Sequence, residues 1–152
     1  MGHVPPGTVR VLRARGDLQG RQHRGAPGKG AVGIPAQARR ALGSFGEART
    51  AEWYAARGYE VLDANWRCRE GELDLIVSRG STIVFCEVKT RSGTSFGMPA
   101  EAVNRAKQAR IRRLGARWLS ENRARLGRRS WDLRFDVASV LRSEVDVLEA
   151  AF

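Results

Sequence analysis

Gly71-Glu72-Leu73-Asp74-Leu75-Ile76-Val77, the turn signal Arg79-Gly80-Ser81, and Thr82-Ile83-Val84-Phe85-Cys86-Glu87-Val88-Lys89-Thr90 decide the fold. The first run alternates, with Leu73, Leu75 and Val77 on one side and Glu72, Asp74 and Ile76 on the other. The second is rich in strand formers and predicts a strand over 82–90. There Ile83, Phe85, Glu87 and Lys89 share one face, and Thr82, Val84, Cys86 and Val88 the other. Together the two runs predict a β-hairpin. Asp74 and Glu87, thirteen positions apart, then fall on adjacent strands, with Lys89 beside Glu87.

Working outward, 42–57 predicts a helix, because Leu42, Phe45, Ala48, Ala51 and Ala55 recur at helical spacing and Gly58 supplies a stop. Tyr59 to Trp66 predicts the first strand. After a polar loop over 92–97, a long helix is expected from about Pro99 to Leu126, ended by Gly127. Its buried stripe is outlined by Val103, Ala106, Ile111, Leu114 and Trp118. Trp131 to Val140 alternates as a strand, and Val145 to Leu148 closes the chain. The order α-β-β-β-α-β-β is that of an α/β fold, a central mixed sheet flanked by helices.

The chain has 152 residues and a formal net charge of +11, which suits a polyanionic partner. Residues 1–41 carry +7 of that charge, with much Gly, Pro, Arg and Ala and no periodicity. They read as a disordered basic extension ahead of one domain over 42–152. A nucleic-acid-binding arm is the functional alternative, and an internal start near Val32 is another reading of the same segment. No apolar run is long enough to span a membrane. Cys68 and Cys86 form no CxxC pair, so a multi-cysteine zinc site is excluded and a reducing, cytoplasmic compartment is expected. Cys86, in an apolar strand, reads as a buried thiol.

Both histidines, His3 and His23, lie in the extension. The predicted domain therefore lacks the base of Ser-His-Asp and Cys-His hydrolases. Its chemistry must come from carboxylates, lysine, arginine, hydroxyls or a bound metal. Asp74 and Glu87 supply the one or two carboxylates that Mg²⁺ prefers beside water and phosphate oxygens. Lys89 can orient a water or stabilise charge on the transition state. Glu47, on the first helix, can complete the site or assist a second metal. The plain alternative is a structural ion pair of Lys89 with Glu87 or Asp74 at a sheet edge. Glu72 reads as a supporting residue, or as a turn residue paired with Arg67 or Arg69. Lys107 and Arg110 on the long helix either reach phosphate or lie as surface cations. Asp136 reads as a structural acid satisfied by an arginine, and the four tryptophans as core.

The ordered set Gly46-Glu47, Ala51, Gly58-Tyr59, Asn65, Gly71-Glu72-Leu73-Asp74-Leu75-Ile76, Val84-Phe85-Cys86-Glu87-Val88-Lys89-Thr90-Arg91, Phe96-Gly97, Lys107, Phe135-Asp136-Val137 and Ala151-Phe152 resembles uncharacterised protein family 0102, the YraN family. The resemblance covers about 42–152. It implies a restriction-endonuclease-like fold with a PD-(D/E)XK-type site, similar to Holliday-junction resolvases. It implies catalytic roles for Glu47, Asp74, Glu87 and Lys89, with Glu47, Asp74 and Glu87 as ligands of Mg²⁺ or Mn²⁺. It also implies nucleic-acid binding, for which Lys107, Arg110 and Arg91 are candidates, and a bacterial cytoplasmic setting. Analogy with resolvases adds the expectation of a homodimer. Cys86 departs from the branched aliphatic usual at its position, and 1–41 lies outside the pattern. The expected function is metal-dependent hydrolysis of DNA phosphodiester bonds, on branched or damaged DNA. The alternative is a non-catalytic nucleic-acid-binding module in a repair or uptake complex.

Overall fold

The sheet is built from the hairpin outward. The computed structural model describes residues 10–11, 34, 45–91 and 103–152. Its strands are β1 (Arg10–Val11), β2 (Glu60–Cys68), β3 (Gly71–Arg79), β4 (Thr82–Arg91), β5 (Asp132–Leu141) and β6 (Glu144–Leu148), and its helices α1 (Phe45–Ala55), α2 (Arg105–Glu121) and α3 (Arg123–Leu126). The sheet order is β1-β5-β4-β3-β2, with β6 also paired to β5. β2, β3 and β4 run antiparallel, while β4 and β5 are parallel from Thr82↔Asp132 to Arg91↔Leu141. Parallel neighbours need a crossover, and α2 lies within it. The fold is therefore the expected α/β arrangement with a mixed sheet. Of 1–41, only the β1 pair and Ile34 lie within the described residues, so the expectation of disorder for the rest falls outside them.

Among the described residues α1 packs on one sheet face and α2 on the other. Ile83, Phe85, Leu133, Phe135 and Val137 pack with Ile111, Leu114 and Trp118 of α2. Val84, Cys86, Leu75, Val77 and Ala138 pack with Ala51 and Tyr54 of α1. Alternation on β4 and β5 thus assigns each residue to its helix, as the sequence pattern predicts.

Three local features depart from the pattern. Leu73 joins the α2 side although Leu75 lies on the α1 side, so the expected shared face of Leu73, Leu75 and Val77 is broken. On the neighbouring strand, between the pairs Ala64↔Leu75 and Trp66↔Leu73, Asn65 takes a left-handed φ of 50°. That kink removes the strict two-residue period. In α1 the buried face is Gly46, Thr50, Ala51, Tyr54 and Ala55, and Phe45 is exposed. In the second helix Val103 and Asn104 are not helical; the Asn104 side chain caps α2 by accepting the Lys107 N–H at 2.9 Å. The helix therefore starts at Arg105 rather than Pro99, and Ala106 is exposed. It also breaks at Asn122, so that 123–126 form the separate α3, ended by Gly127 at φ 74°. Residues 99–102 lie outside the described residues.

Candidate active site

The β3–β4 ladder runs from Arg79↔Thr82 to Leu75↔Cys86. Beyond it Asp74 replaces a backbone partner with a side-chain one: its Oδ2 accepts the Val88 N–H at 2.8 Å. The carboxyl is thereby held where the two strands separate, half-buried. Burial, together with the charges of Glu87, Glu47 and Glu72, pushes it up to about 7. The Val88 N–H works in the opposite direction and is outweighed.

Glu87 projects on the α2 side, in register with Val137 of β5. Its Oε1 lies 2.8 Å from Lys89 Nζ and is also paired with Lys107 Nζ, from the first turn of α2. Burial pushes this carboxyl up, but the hydrogen bonds from Lys107 and Lys89 win and hold it below its ordinary value. Lys89 is the mirror case. Burial opposes its charge, yet the bond to Glu87 keeps the ammonium above its ordinary value.

Glu47 comes from the first turn of α1. Its Oε2 accepts a hydrogen bond from Asn65 Nδ2 at 2.5 Å, which ties α1 to the kink in β2. The close approach of α1 to the strands depends on Gly46: a Cβ there would sit 2.0 Å from Thr90 Oγ1. The structure thus pairs Glu87 with Lys89 and puts Asp74 within reach of the charges of Glu87 and Glu47, but among the described residues the three expected ligands Asp74, Glu87 and Glu47 do not close into one metal-sized cluster. Glu72 is exposed and pairs with Arg67 at 3.2 Å, one of the two partners expected of it as a turn residue. Lys107, read from sequence as a phosphate contact or surface cation, belongs to the Glu87 cluster. Arg110 lies one turn further along α2, and Arg91 ends β4 two positions past Lys89.

Two contacts had no signal in the sequence pattern. The Asn65–Glu47 bond joins residues 18 apart across a kink, and Lys107–Glu87 joins a helix to a strand across the loop 92–102. Only Asn65 and Lys107 as members of the ordered motif set pointed that way.

Comparison with known proteins now gives the lineage. The model of "Uncharacterised protein family UPF0102" matches residues 46–140. The chain belongs to the UPF0102 family. It is 58% identical over 106 residues to a UPF0102 protein of Frankia casuarinae, covering 70% of this chain and 86% of that one. It is 55% identical over 109 residues to a UPF0102 protein of Frankia alni, covering 72% and 88%. A UPF0102 protein of Beutenbergia cavernae is 50% identical over 107 residues, covering 70% and 87%. The family match begins at Gly46, ends at Val140 and so encloses every residue of the candidate site. Among the described residues no helix is long and apolar enough to cross a membrane.

Proposed function

We propose that this UPF0102 chain is a metal-dependent, endonuclease-like protein of the PD-(D/E)XK type that hydrolyses DNA phosphodiester bonds, on branched or damaged DNA. The observation that carries the reading is the meeting of Asp74, raised to about 7 by burial and neighbouring acids, with the Glu87–Lys89 pair at one strand divergence. Carboxylates forced together beside a lysine suit a site for a cation and a phosphate.

The donors fit a particular mode of metal binding. Among the described residues no three acidic, histidine or cysteine side chains form a cage. Mg²⁺ does not need one, since one or two carboxylates with water and phosphate oxygens satisfy it. Asp74 and Glu87 would hold the ion, and Glu47, anchored by Asn65, would support them. When bound, the metal polarises the scissile phosphate and acidifies water. Lys89 and Lys107 keep Glu87 ionised, so it stands ready as a donor. Lys89 also presents an ammonium to the charge that develops on phosphate. Under this reading the fold is restriction-endonuclease-like, and the protein acts in the bacterial cytoplasm as a homodimer.

One observation favours the binding-module alternative. Glu87 is already balanced by two lysines, so part of the site is electrostatically satisfied by side chains alone. The deciding assay incubates the protein with plasmid, flap and four-way-junction DNA in Mg²⁺ or Mn²⁺, beside Asp74→Ala and Lys89→Ala. Cleavage lost in both variants supports the site; cleavage that survives both sinks it. Salt-sensitive binding without any cleavage selects the binding module.

A further inference from the structure

A second basic feature lies along α2, outside the Glu87 cluster. Arg110, Arg113 and Arg117 line a cleft of about 320 Å³ with Glu70 and Leu114. Its wall is the β2–β3 turn. Gly71, at φ 151°, seats that turn against α2: a Cβ there would lie 3.2 Å from Leu114 Cδ1 and 3.9 Å from Arg110 Cδ. Arg117 is paired with Glu70 and, at 2.9 Å, with Glu121. Among the described residues Arg110 and Arg113 form no ion pair. Both are exposed. Arg117 is thus taken up by two carboxylates, Glu70 and Glu121, while Arg110 and Arg113 keep their full set of donors for a ligand.

The cleft shares a helical line with the candidate site. Residues 107, 110, 114 and 117 follow three- and four-residue steps, which align on one helix face. Lys107 ends on Glu87 at one end of that line, and Arg117 borders the cleft at the other. At 1.5 Å per residue they are about 15 Å apart along the axis. That is about four nucleotides at the 3.4 Å rise of one DNA strand. Guanidinium forks are suited to bidentate contact with phosphate oxygens.

We propose that the Arg110–Arg113–Arg117 cleft holds backbone phosphates of a DNA strand running toward the Asp74–Glu87–Lys89 site. The direction of the strand rests on the nuclease reading above; the phosphate contacts do not.

The test is fluorescence anisotropy with a labelled DNA duplex in EDTA, across a salt series. Arg110→Gln/Arg113→Gln should flatten the dependence of log affinity on log salt by about two, and weaken binding about ten- to a hundredfold near 0.1 M salt. Arg128→Gln/Arg142→Gln removes the same charge elsewhere on the surface and should leave the slope unchanged. All variants should melt as the parent does by circular dichroism. A parental slope in the cleft variant overturns the proposal, as does an equal loss in the control or a parent that does not bind the duplex. If the cleft variant alone loses slope while the parent cleaves no DNA, the cleft stands and the nuclease reading falls.

Discussion

The Asp74 carboxylate takes the Val88 backbone N–H at 2.8 Å, just past the point where the β3–β4 ladder ends. This bond holds a half-buried acid at a strand divergence, within reach of the charges of Glu87, Glu47 and Glu72. Its titration should therefore be visible in stability. The folded carboxyl sits at about 7, above its ordinary 3.8, so the folded chain binds this proton more tightly than the unfolded chain does. The stabilisation is fully present below the unfolded value and is lost as pH rises through the folded one. Between about pH 5 and pH 8.5 the loss should be on the order of 2–4 kcal/mol in urea unfolding. Asp74→Asn should remove that slope, and Mg²⁺ should reduce it in the parent but not in the variant. An identical slope in parent and Asn variant would show that another group is responsible.

Glu87 is held ionised by two lysines, so deleting either should move it in a known direction. Lys107→Met leaves Lys89 in place and should raise the Glu87 carboxyl toward its ordinary value, read as a later midpoint in a carbon-detected NMR titration. Lys107→Arg should restore much of the depression. On the proposed chemistry Lys89→Met abolishes hydrolysis, whereas Lys107→Met leaves a measurable fraction. Equal loss in the two Met variants would place both lysines on the reacting phosphate.

Gly46 is where α1 is allowed to approach β4. Its replacement by Ala brings a Cβ within 2.0 Å of Thr90 Oγ1 and 3.3 Å of Thr90 Cβ. Overpacking at such a site costs about 1–3 kcal/mol. Thr90→Ala removes the nearer atom, so the double variant should recover part of the loss, with a favourable coupling of about 0.5–3 kcal/mol in a chemical-denaturation cycle. Strict additivity would mean that α1 moves away instead. In that case the Glu47–Asn65 bond should break, which the Asn65 side-chain amide shift would report.

How much of this was legible follows from the range of each interaction. β4 and β5 are flat in pattern, and alternation alone sorted Phe85 and Phe135 from Cys86 and Ala138. Asp136 was legible as a structural acid satisfied by an arginine because a carboxylate in an apolar strand needs a cation; the structure shows that arginine to be Arg134, two positions away on the same strand. Leu73 was misassigned because alternation assumes a regular partner strand, and Asn65 at φ 50° makes β2 irregular. The start of α2 depended on a side-chain cap at Asn104 rather than on the Pro99 signal. The roles of Lys107 and Asn65 depended on contacts between distant elements, which no periodicity encodes.

The most demanding stability prediction concerns Asp136, which is fully buried. It accepts from Arg134 Nε at 2.9 Å and Nη2 at 2.8 Å, from Tyr54 Oη at 2.7 Å and from the Ala150 N–H at 3.0 Å. One carboxylate thus ties α1, β5 and the C-terminal segment together, and the Arg134 guanidinium is itself nearly buried, at 13% exposed. Asp136→Ala should cost about 3–5 kcal/mol, because it leaves that guanidinium charged with only the longer pair to the half-exposed Glu149, at 3.4 Å. Removing the charge as well tests whether the under-compensated cation sets the cost. Arg134→Met/Asp136→Leu should lie closer to the parent than Asp136→Ala does in urea denaturation. If the double variant is the less stable of the two, the Tyr54 and Ala150 bonds, rather than the under-compensated guanidinium, set the cost of losing Asp136.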